Sequence, residues 1–568
     1  MQSTIDASQM RDTRSMTLCN PTRCIAAAAL STAVFFAGAV SAQTNTPEYA
    51  HTWNQPGCPC ATVLHEGSSA EAGFVPQALD EVDGSAGRAI ARRAAPGAVV
   101  LVARRGVIAK WKAYGYASLY KDGDYAMADD PRPMRKDEIF DLASVSKLFT
   151  TVAVMQLWDE GKFKLDDPVA RYLPGFGVNG KEDVTIRELL THTSGFRPDP
   201  PTPLYDIKGS RKQRMDQVLQ LPLEHPPGTH YVYSDINFIT LGALIEKLSG
   251  EREDVFVRQH ITQPLHMTDT MYNPPAALKP RIAASEYQPW THRGMLWGQV
   301  DDENAWALDG VAGHAGVFGS ARDLATFGQM MLNGGTYDGA RILSQRAVEL
   351  ILTDWTRKKF PGDDIGLGWS VDQAWYQGAL AGVHTAGHEG FTGTALTINT
   401  KNDIVTVILT NRVHPNRHGP SVVTALHRIN TDVANAIPVV PPAGGQPWFS
   451  GYGDYLNRTL TAKITPRHDA TLTFQTWYRM QPDDDFGSVE ASPDGVHWKV
   501  LGLLTGNSDG WQTKSMPLPA DAHYIQFRYR TDAEINGRGW YVNQLEVKAG
   551  GNTTPPTITH NEWQQRAY

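Results

Sequence analysis

The sequence predicts a mixed α/β protein of the α+β type, with an antiparallel sheet flanked by helices, followed by an all-β sandwich. Residues 75–436 have strand-like runs near both ends and helical periodicity between them, which predicts one sheet completed by both ends of this region. A Pro/Gly-rich linker is expected at 437–445. From 446 to 550, short alternating strands separated by turn dipeptides are typical of a β-sandwich.

The composition is that of a folded protein and disfavours nucleic acid as a partner. The chain has 568 residues, of which 41% are hydrophobic and 20% charged, so two or three domains are expected. The formal net charge is -8, and no run of Lys or Arg is suited to following a phosphate backbone. Nucleic acid is therefore not expected as a partner.

Residues 1–42 have the pattern of an export signal. Basic residues precede an apolar stretch from Ile25 to Val40, and Val40-Ser41-Ala42 supplies small residues for cleavage. Because this stretch of about 16 residues is shorter than the ~20 of a spanning helix, a membrane anchor is the weaker alternative and no stable membrane span is expected. The mature protein is predicted to start at Gln43 and to be periplasmic or secreted.

Residues 43–74 are polar and lack periodicity, so a mobile segment is predicted, with order beginning near Val75. The segment contains Cys58 and Cys60, which are interpreted either as a local staple or as free thiols. A disulfide across the single residue between them would be strained. Two thiols without neighbouring His ligands also make a poor zinc site.

Periodicity predicts the elements of the first domain in order. A helix over 76–93 precedes a strand hairpin at 98–103 and 107–116. Apolar residues at helical spacing then predict a helix over 144–159. Further helices are predicted at 186–190, 238–248 and 321–332, and strands at 394–399 and 404–410.

The sandwich strands are predicted from alternation between turns. They are expected at 472–478, 487–491, 498–503, 524–529 and 540–547. Dipeptides such as Asp494-Gly495 and Asn536-Gly537 separate them. Residues 551–568 are interpreted as a tail.

Ser144 and Lys147 form the first candidate catalytic pair. They lie three residues apart in the first turn of a predicted helix, so both side chains lie on one face and the amine can reach the hydroxyl. The helix N-terminus favours the negative charge that develops during attack. Ser144 is thus a candidate nucleophile, although this spacing alone also fits a Ser and a Lys on a solvated helix.

Further motifs follow in a defined order. Tyr233-Ser-Asp235 and His388-Glu-Gly390 come after S-x-x-K, with Leu189–Gly195 and Gly310–Gly316 between them. Together these segments make residues 75–435 resemble the class C β-lactamase and penicillin-binding protein family of serine hydrolases. The resemblance implies a β-lactamase-like (DD-peptidase) fold for this region.

The resemblance also implies roles for the second motif. Tyr233 is expected to lie against Ser144 and Lys147 and to handle protons with them, while Lys147 either acts as a base or holds a phenolate. A buried tyrosine with a satisfied hydroxyl is the alternative. Asp235 stands where the family more usually has Asn, and an ionised carboxylate there would help to keep Lys147 charged.

For the third motif, the resemblance implies a substrate-binding strand with His388, Glu389 and Gly390. The backbone N–H groups of Ser144 and Phe391 would form the oxyanion hole, and His388 would act as a neutral or positive donor. A rival register uses His384-Thr-Ala386 instead. Glu389 would bring a negative charge to the place where a β-lactam or D-Ala-D-Ala carboxylate should bind, which predicts poor β-lactam turnover.

Other potential sites are weaker. His192 and His314 lie in turn-like contexts and are interpreted as structural, without carboxylates at metal-ligand spacing, so neither a metal nor another cofactor is expected. Gly506-Asn-Ser508-Asp-Gly510 matches G-x-S-x-G, but that nucleophile motif needs a following helix and the sequence here predicts a strand. A hairpin turn is therefore predicted.

The sandwich resembles the C-terminal β domains of secreted peptidases of the immune-inhibitor type, through residues 474–478, 492–498 and 536–541. Two interpretations stay open. Such a module either binds a wall polymer or glycan through exposed tryptophans, or only stabilises the enzyme.

The function implied by the resemblance is cleavage of an amide or ester through an acyl-Ser144 intermediate. A carboxylesterase or D-alanyl peptidase-like activity with weak β-lactamase activity is expected, on a small-molecule or peptidoglycan-derived substrate. The alternatives are an efficient class C β-lactamase or D-Ala-D-Ala carboxypeptidase and, from another class, a non-catalytic cell-envelope-binding protein.

Overall fold

The structure, a computed structural model, describes residues 62–533 and 536–568. The export signal predicted for residues 1–42 and the Cys58/Cys60 pair lie outside the described residues. Within the described part of the chain, no helix is both long enough and apolar enough to cross a membrane.

One mainly antiparallel sheet organises the first part of the chain. Its main path is β1-β3-β2-β15-β14-β13-β12, with β4 paired to β3, and only β1 and β3 run parallel. The strands of this part are β1 (His65–Glu66), β2 (Gly97–Arg104), β3 (Val107–Tyr120), β4 (Met127–Pro133), β5 (Ile139–Asp141), β6 (Met271–Tyr272), β7 (Tyr287–Gln288), β8 (Gly294–Met295), β9 (Val317–Ser320), β10 (Thr336–Tyr337), β11 (Ala340–Arg341), β12 (Ser370–Val371), β13 (Thr385–Gly390), β14 (Thr394–Asn399) and β15 (Ile404–Thr410). Because β2 pairs with β15, the predicted closure of one sheet by both ends of the region is confirmed.

Helices cover both faces of this sheet. They are α1 (Pro76–Leu79), α2 (Glu81–Ala91), α3 (Ser146–Asp159), α4 (Ile186–Leu190), α5 (Arg211–Leu219), α6 (Asp235–Ser249), α7 (Glu253–Val257), α8 (Glu303–Ala307), α9 (Ala321–Leu332), α10 (Gln345–Leu352), α11 (Ala374–Gln377) and α12 (Val423–Asn435). Alternate side chains of β15 enter two separate cores: Val405 and Val407 pack with α3, α6 and α9, whereas Ile404 and Ile408 pack with α2 and α12. We call these the first and second cores.

The start of the ordered chain differs from the prediction. Residues 62–74 were expected to be part of a mobile segment, but His65 and Glu66 pair in parallel with β3. Leu64 is 4% exposed and Phe74 is 1% exposed. Strand pairing and two buried side chains therefore fix a stretch that is too short and too polar for periodicity to identify.

The C-terminal part consists of two packed sheets, as the sequence predicts. Its strands are β16 (Trp448–Phe449), β17 (Asn457–Lys463), β18 (Thr471–Arg479), β19 (Phe486–Ser492), β20 (Lys499–Leu504), β21 (Gln512–Pro517), β22 (Tyr524–Arg530), β23 (Gly539–Ala549), β24 (Asn552–Thr554), β25 (Thr557–Asn561) and β26 (Gln564–Gln565). One sheet runs β21-β18-β23-β16-β26 with β24 beside β23, and the other runs β20-β19-β22-β17-β25. Residues 551–568 are not a tail, because β25 pairs with β17 and Trp563 is 3% exposed.

The junction between the sheet region and the sandwich is tightly packed. Phe449, Trp477 and Tyr541 of the sandwich belong to the second core, together with side chains of α2 and α12. The fully buried Arg538 donates to the carbonyls of Ala434 and Asn435, at 3.2 and 3.1 Å. A Pro/Gly-rich linker implies few contacts between the domains that it joins, but here the junction is packed, so the prediction of a linker at 437–445 is wrong in this respect.

Candidate active site

Ser144 lies in a tight turn just before α3. The turn spans Ala143–Val145, and Ala143 adopts a left-handed conformation with φ 46° that is uncommon for a residue other than glycine. Asp141 accepts the Ala143 N–H at 2.9 Å, which holds this conformation. The chain therefore leaves β5, turns sharply and places Ser144 in the turn that leads directly into α3.

Lys147 is fully buried beneath Ser144. Its ammonium nitrogen lies 2.9 Å from the Ser144 hydroxyl oxygen and 2.7 Å from an Asp235 carboxylate oxygen. It also donates to the carbonyl of His314 at 3.3 Å. Lys147 thus has a counter-ion and two further acceptors, as a buried cation requires.

Tyr233 lies immediately before α6 and completes this group. The Lys147 nitrogen is 4.8 Å from the centre of the Tyr233 ring, and the proximity of Lys147 and Ser144 acts to lower the pKa of its phenol. The His192 ring packs on it at 4.6 Å and accepts the Ser234 N–H at 3.1 Å. His192 therefore satisfies a backbone group, as predicted, and also fixes the orientation of Tyr233.

The ionisation of this group is set by burial and by the ion pair. Burial alone would lower the pKa of Lys147, but Asp235 and Tyr233 outweigh it and raise that pKa above its ordinary value. The desolvated surroundings of its hydroxyl raise the pKa of Tyr233 to about 12, although the residue is 39% exposed and Lys147 acts in the opposite direction. At neutral pH the pair is an ammonium beside a neutral phenol.

The third motif lies on β13, and His388 is the residue that faces the site. Its buried ring is 6.0 Å from that of Tyr233. Burial, followed by the charge of Lys147, lowers the pKa of His388 to about 4, so the imidazole is neutral at pH 7. His384 lies before β13 and is exposed, so the rival register does not place a histidine at the site.

Glu389 does not join this group, contrary to expectation. It pairs with Ala395 of the second core, whereas His388 pairs with Leu396 of the first core. Neighbouring residues of a strand point to opposite faces, so the Glu389 side chain leaves the sheet on the side away from Tyr233. The predicted clash between this carboxylate and an anionic substrate therefore lacks a structural basis.

Gly390 brings the end of β13 against the segment that precedes Ser144. A β-carbon at Gly390 would lie 2.5 Å from the Leu142 carbonyl oxygen, so only glycine fits. Thr392 donates to the Asp141 carbonyl at 2.7 Å, and Thr394 donates to the Leu142 carbonyl at 2.9 Å. These contacts hold the turn that contains Phe391 against the segment that immediately precedes Ser144.

A charged pair that the sequence analysis missed borders the site. His314 lies 2.9 Å from Asp302, whose charge raises the pKa of His314 against the effect of burial. Burial acts to raise the pKa of Asp302, but the charge of His314 and its hydrogen bond lower that pKa below its ordinary value. No motif marks Asp302, although the Gly310–Gly316 segment does contain His314.

The expectation that His314 has no carboxylates at ligand distance was wrong. One ligand atom each from Asp235, Asp302 and His314 lies within 4.8 Å of the others. Each already has a protein partner, because Asp235 binds Lys147 and Asp302 binds His314. A cation placed among them would compete with the Lys147 ammonium for Asp235.

The G-x-S-x-G segment at residues 506–510 does not have the local structure of a nucleophile motif. Ser508 is 3% exposed, and its hydroxyl bonds to the backbone N–H and carbonyl of Tyr478. It lies between β20 and β21, with no helix after it. Its hydroxyl therefore has a structural role in the hairpin connection.

Known proteins resemble the region that carries this site. A family model described as Beta-lactamase matches residues 82–430. A protein of Salmonella paratyphi B named "Putative D-alanyl-D-alanine carboxypeptidase" is 34% identical over 389 residues, covering 63% of this chain and 88% of that protein. The solved structure of "EstCE1, a hydrolase with promiscuous acyltransferase activity" matches with 25% identity and a TM-score of 0.51, covering 63% of this chain and 99% of that one. A penicillin-binding protein homolog from Caulobacter crescentus has 18% identity and a TM-score of 0.51, covering 64% of this chain and 99% of the other, and this likeness concerns the fold alone.

Proposed function

Because the chain belongs to the β-lactamase family of serine hydrolases, we propose that it cleaves neutral carboxylic esters through an acyl-Ser144 intermediate. The contact that carries the chemistry is the 2.9 Å approach of the Lys147 nitrogen to the Ser144 oxygen, inside a group that also contains Tyr233. Membership of this enzyme family disfavours the non-catalytic alternative.

In this proposal Tyr233 is the base and Lys147 remains an ammonium. Deprotonating Lys147 would leave the half-buried Asp235 carboxylate without its counter-ion. The Tyr233 phenolate, in contrast, would still face the ammonium. The first proton to leave the pair is therefore that of the phenol. The Lys147 ammonium then stabilises the phenolate that accepts the Ser144 proton.

The reaction follows in two balanced steps. The Ser144 oxygen forms a bond to the acyl carbon while its proton passes to Tyr233, and the alcohol leaves as the carbon–oxygen ester bond breaks and takes that proton. Water then attacks the acyl-enzyme, gives a proton to Tyr233, and Ser144 is released with a proton returned to its oxygen. The amides of Ser144 and Phe391 hold the oxyanion in both steps.

The charge of the site supports a neutral substrate. His388 is neutral at pH 7, and Lys147 is compensated by Asp235. Arg417, on the rim beside the Phe391 ring, is paired with Glu286 and Glu303. Among Lys147, His388 and Arg417, a substrate carboxylate would thus find no uncompensated cation, and a missing charged hydrogen bond costs about 1.5–3 kcal/mol. Arg412, 5.2 Å from the Phe391 ring, makes no ion pair among the described residues, and part of its donor capacity is taken by the Arg417 carbonyl.

A D-alanyl carboxypeptidase is the second candidate, because the 34% identical Salmonella protein carries that name. The two are separated by comparing kcat/KM for a p-nitrophenyl butyrate ester, a peptide ending in D-Ala-D-Ala and a chromogenic cephalosporin, with Ser144→Ala as the blank. We expect the ester to be preferred by about one to two decades. A preference for the peptide would support the second candidate, and efficient cephalosporin cleavage would contradict the charge argument.

Export is also part of the proposal. The basic and apolar pattern of residues 1–42 supports it. N-terminal sequencing of the protein from an exporting bacterial host should begin at Gln43. Recovery of the uncleaved chain in the cytoplasm would contradict this part.

A further inference from the structure

A large cleft lies on the side of the sheet away from Ser144. It has a volume of about 880 Å³, within the range of ~300–1,000 Å³ typical of small-molecule sites. Helices α2 and α12 form one wall, while sandwich residues around Tyr452 and the C-terminal Arg566 and Tyr568 form the other. Because α2 and α12 pack in the second core and α3 packs in the first, the cleft and the candidate active site lie on opposite faces of the sheet.

Three aromatic rings border this cleft. Trp375 of α11 is 41% exposed, while Tyr452 and Tyr568 are half-buried. The Trp375 indole N–H is already bonded to Gln373 at 2.8 Å, so the part of this side chain that remains available is its apolar surface. An exposed ring in a polar cleft is suited to packing against an apolar face of a ligand.

The exposed tryptophan does not come from the sandwich. Within the described residues, the sandwich tryptophans are all buried or half-buried: Trp448, Trp477, Trp498, Trp511, Trp540 and Trp563. Glycan binding through exposed tryptophans of the sandwich alone therefore has no support. Trp375 belongs to the sheet region, and the cleft needs both parts of the chain.

Buried polar atoms without protein partners also line the cleft. They include the Nε2 of His427, the Oδ1 of Asn435, the Nε of Arg566 and the Oδ1 of Asn536. Such atoms are costly unless another molecule bonds to them. These atoms are themselves almost inaccessible, so a ligand would instead meet the exposed polar side chains of the lining, Gln77, Glu81, Arg88 and Arg428, which favour hydroxyl or amide groups.

The charges of the lining balance. Glu81, Asp432 and Asp454 face Arg88, Arg428 and Arg566 around the same space. Asp432 accepts from Ser85, to which Arg88 donates at 2.7 Å, so part of this charge is held in a network. A strongly charged ligand would gain little from such a lining, whereas a neutral one with many polar groups fits it.

We propose that this cleft binds a neutral saccharide chain of hexose or N-acetylhexosamine units. Sugar rings combine apolar C–H faces, which pack on aromatic rings, with hydroxyl and amide edges, which pair with carboxylate, amide and guanidinium groups. The cleft offers both kinds of partner. Because the ligand binds on the face away from Ser144, it attaches the enzyme to a polymer while the candidate active site stays open.

The test is a titration of the full-length protein with N-acetylglucosamine trimer and, separately, with glucose trimer. Binding is measured by calorimetry and by tryptophan fluorescence. At least one sugar should bind saturably, and Trp375→Ala should weaken binding at least tenfold. Thr424→Trp, which fills the cleft from the exposed surface of α12, should weaken it similarly. The matched control is Trp306→Ala, which removes another exposed tryptophan that is not part of the cleft lining.

Ester turnover measured in parallel distinguishes this proposal from the proposed function. Trp375→Ala and Thr424→Trp should keep the wild-type kcat/KM for a soluble ester, since both residues lie on the side of the sheet away from Ser144. Absence of saturable binding to both sugars at millimolar concentration would overturn the saccharide site. So would binding that is unchanged in both Trp375→Ala and Thr424→Trp, whichever ester activity the enzyme has.

Discussion

Replacing Asp235 by Asn tests how the buried charges set the chemistry. The substitution removes a carboxylate 2.7 Å from the Lys147 nitrogen and leaves an amide of the same shape, whose oxygen still accepts a hydrogen bond. Lys147 then remains buried without a counter-ion. Its positive charge acts more strongly on the neighbouring Tyr233 phenol, because Asp235 no longer offsets it.

The size of the effect follows from this geometry. A nearby charge shifts a pKa by about 1–3 units, and the Asp235 charge raises the pKa of Tyr233, so removing it should lower that pKa from about 12 by an amount in this range. More phenolate is then present at neutral pH, but a weaker base accepts protons less readily. The expected net gain in kcat/KM at pH 7 is about three- to tenfold for each unit of pKa.

The assay is the pH dependence of kcat/KM for a neutral p-nitrophenyl ester, corrected with Ser144→Ala. In the wild type, activity should rise with pH into the alkaline range, and Asp235→Asn should move this rise to lower pH by at least about one unit. Asp302→Asn is the matched control, since Asp302 pairs with His314 rather than Lys147, and it should shift the profile less. An unchanged profile, or a shift to higher pH, would refute the claim that Asp235 sets the ionisation of the Lys147–Tyr233 pair.

The same variant has a stability consequence. The pKa of Lys147 is raised on folding, so its ion pair stabilises the protein fully below the unfolded value near 10.5 and is lost as pH rises through the folded pKa. Removing one partner of a buried pair costs about 3–5 kcal/mol at most, less where an amide oxygen remains. Denaturant unfolding should therefore show Asp235→Asn to be less stable at pH 7, with the difference shrinking at strongly alkaline pH.

Further predictions concern the third motif and the junction. His388→Lys should raise kcat/KM for a D-Ala-D-Ala peptide relative to a neutral ester by about tenfold, because it supplies a cation for the carboxylate; an unchanged ratio would contradict the charge argument. Glu389→Thr should leave the ratio of cephalosporin to ester turnover within about twofold of wild type, since the Glu389 side chain lies on the face of β13 away from Tyr233. A large improvement in cephalosporin turnover would show that the carboxylate reaches the substrate. Truncation after Pro442 removes Trp477 and Tyr541 from the second core. Because burial of each large apolar side chain contributes about 1.5–3 kcal/mol to stability, the truncated protein should be insoluble or melt several degrees lower. A soluble fragment with an unchanged Tm would contradict the packed junction.

Local sequence signals predicted much of the fold. The bounds of α4 match the prediction, and a capping box formed by Thr185 and Glu188 explains its start. The bounds of α9 also match, with Ser320 capping its N-terminus. The strands β14 and β15 likewise match because they are continuous apolar or β-branched runs between turns.

The errors have identifiable physical causes. Pro and Gly content at 437–445 predicts where helices and strands stop, but it does not predict whether Ile437 and Val439 are buried, as they are. The Asp302–His314 pair depends on tertiary contact between segments that have no common motif. The orientation of Glu389 follows from strand alternation once His388 is placed at the site, so the expectation that both side chains face the substrate was inconsistent with a strand.

The central claim is that Ser144 is the nucleophile, and covalent labelling tests it most directly. The purified protein is treated with a fluorophosphonate, its intact mass is measured, and the modified peptide is sequenced, with Ser144→Ala as the control. We expect one added phosphonyl group per chain, located on Ser144. Ester hydrolysis should be lost in proportion to labelling, and Ser144→Ala should not be modified. Labelling at another serine with parallel loss of activity, or full labelling of Ser144 without loss of hydrolysis, would contradict it.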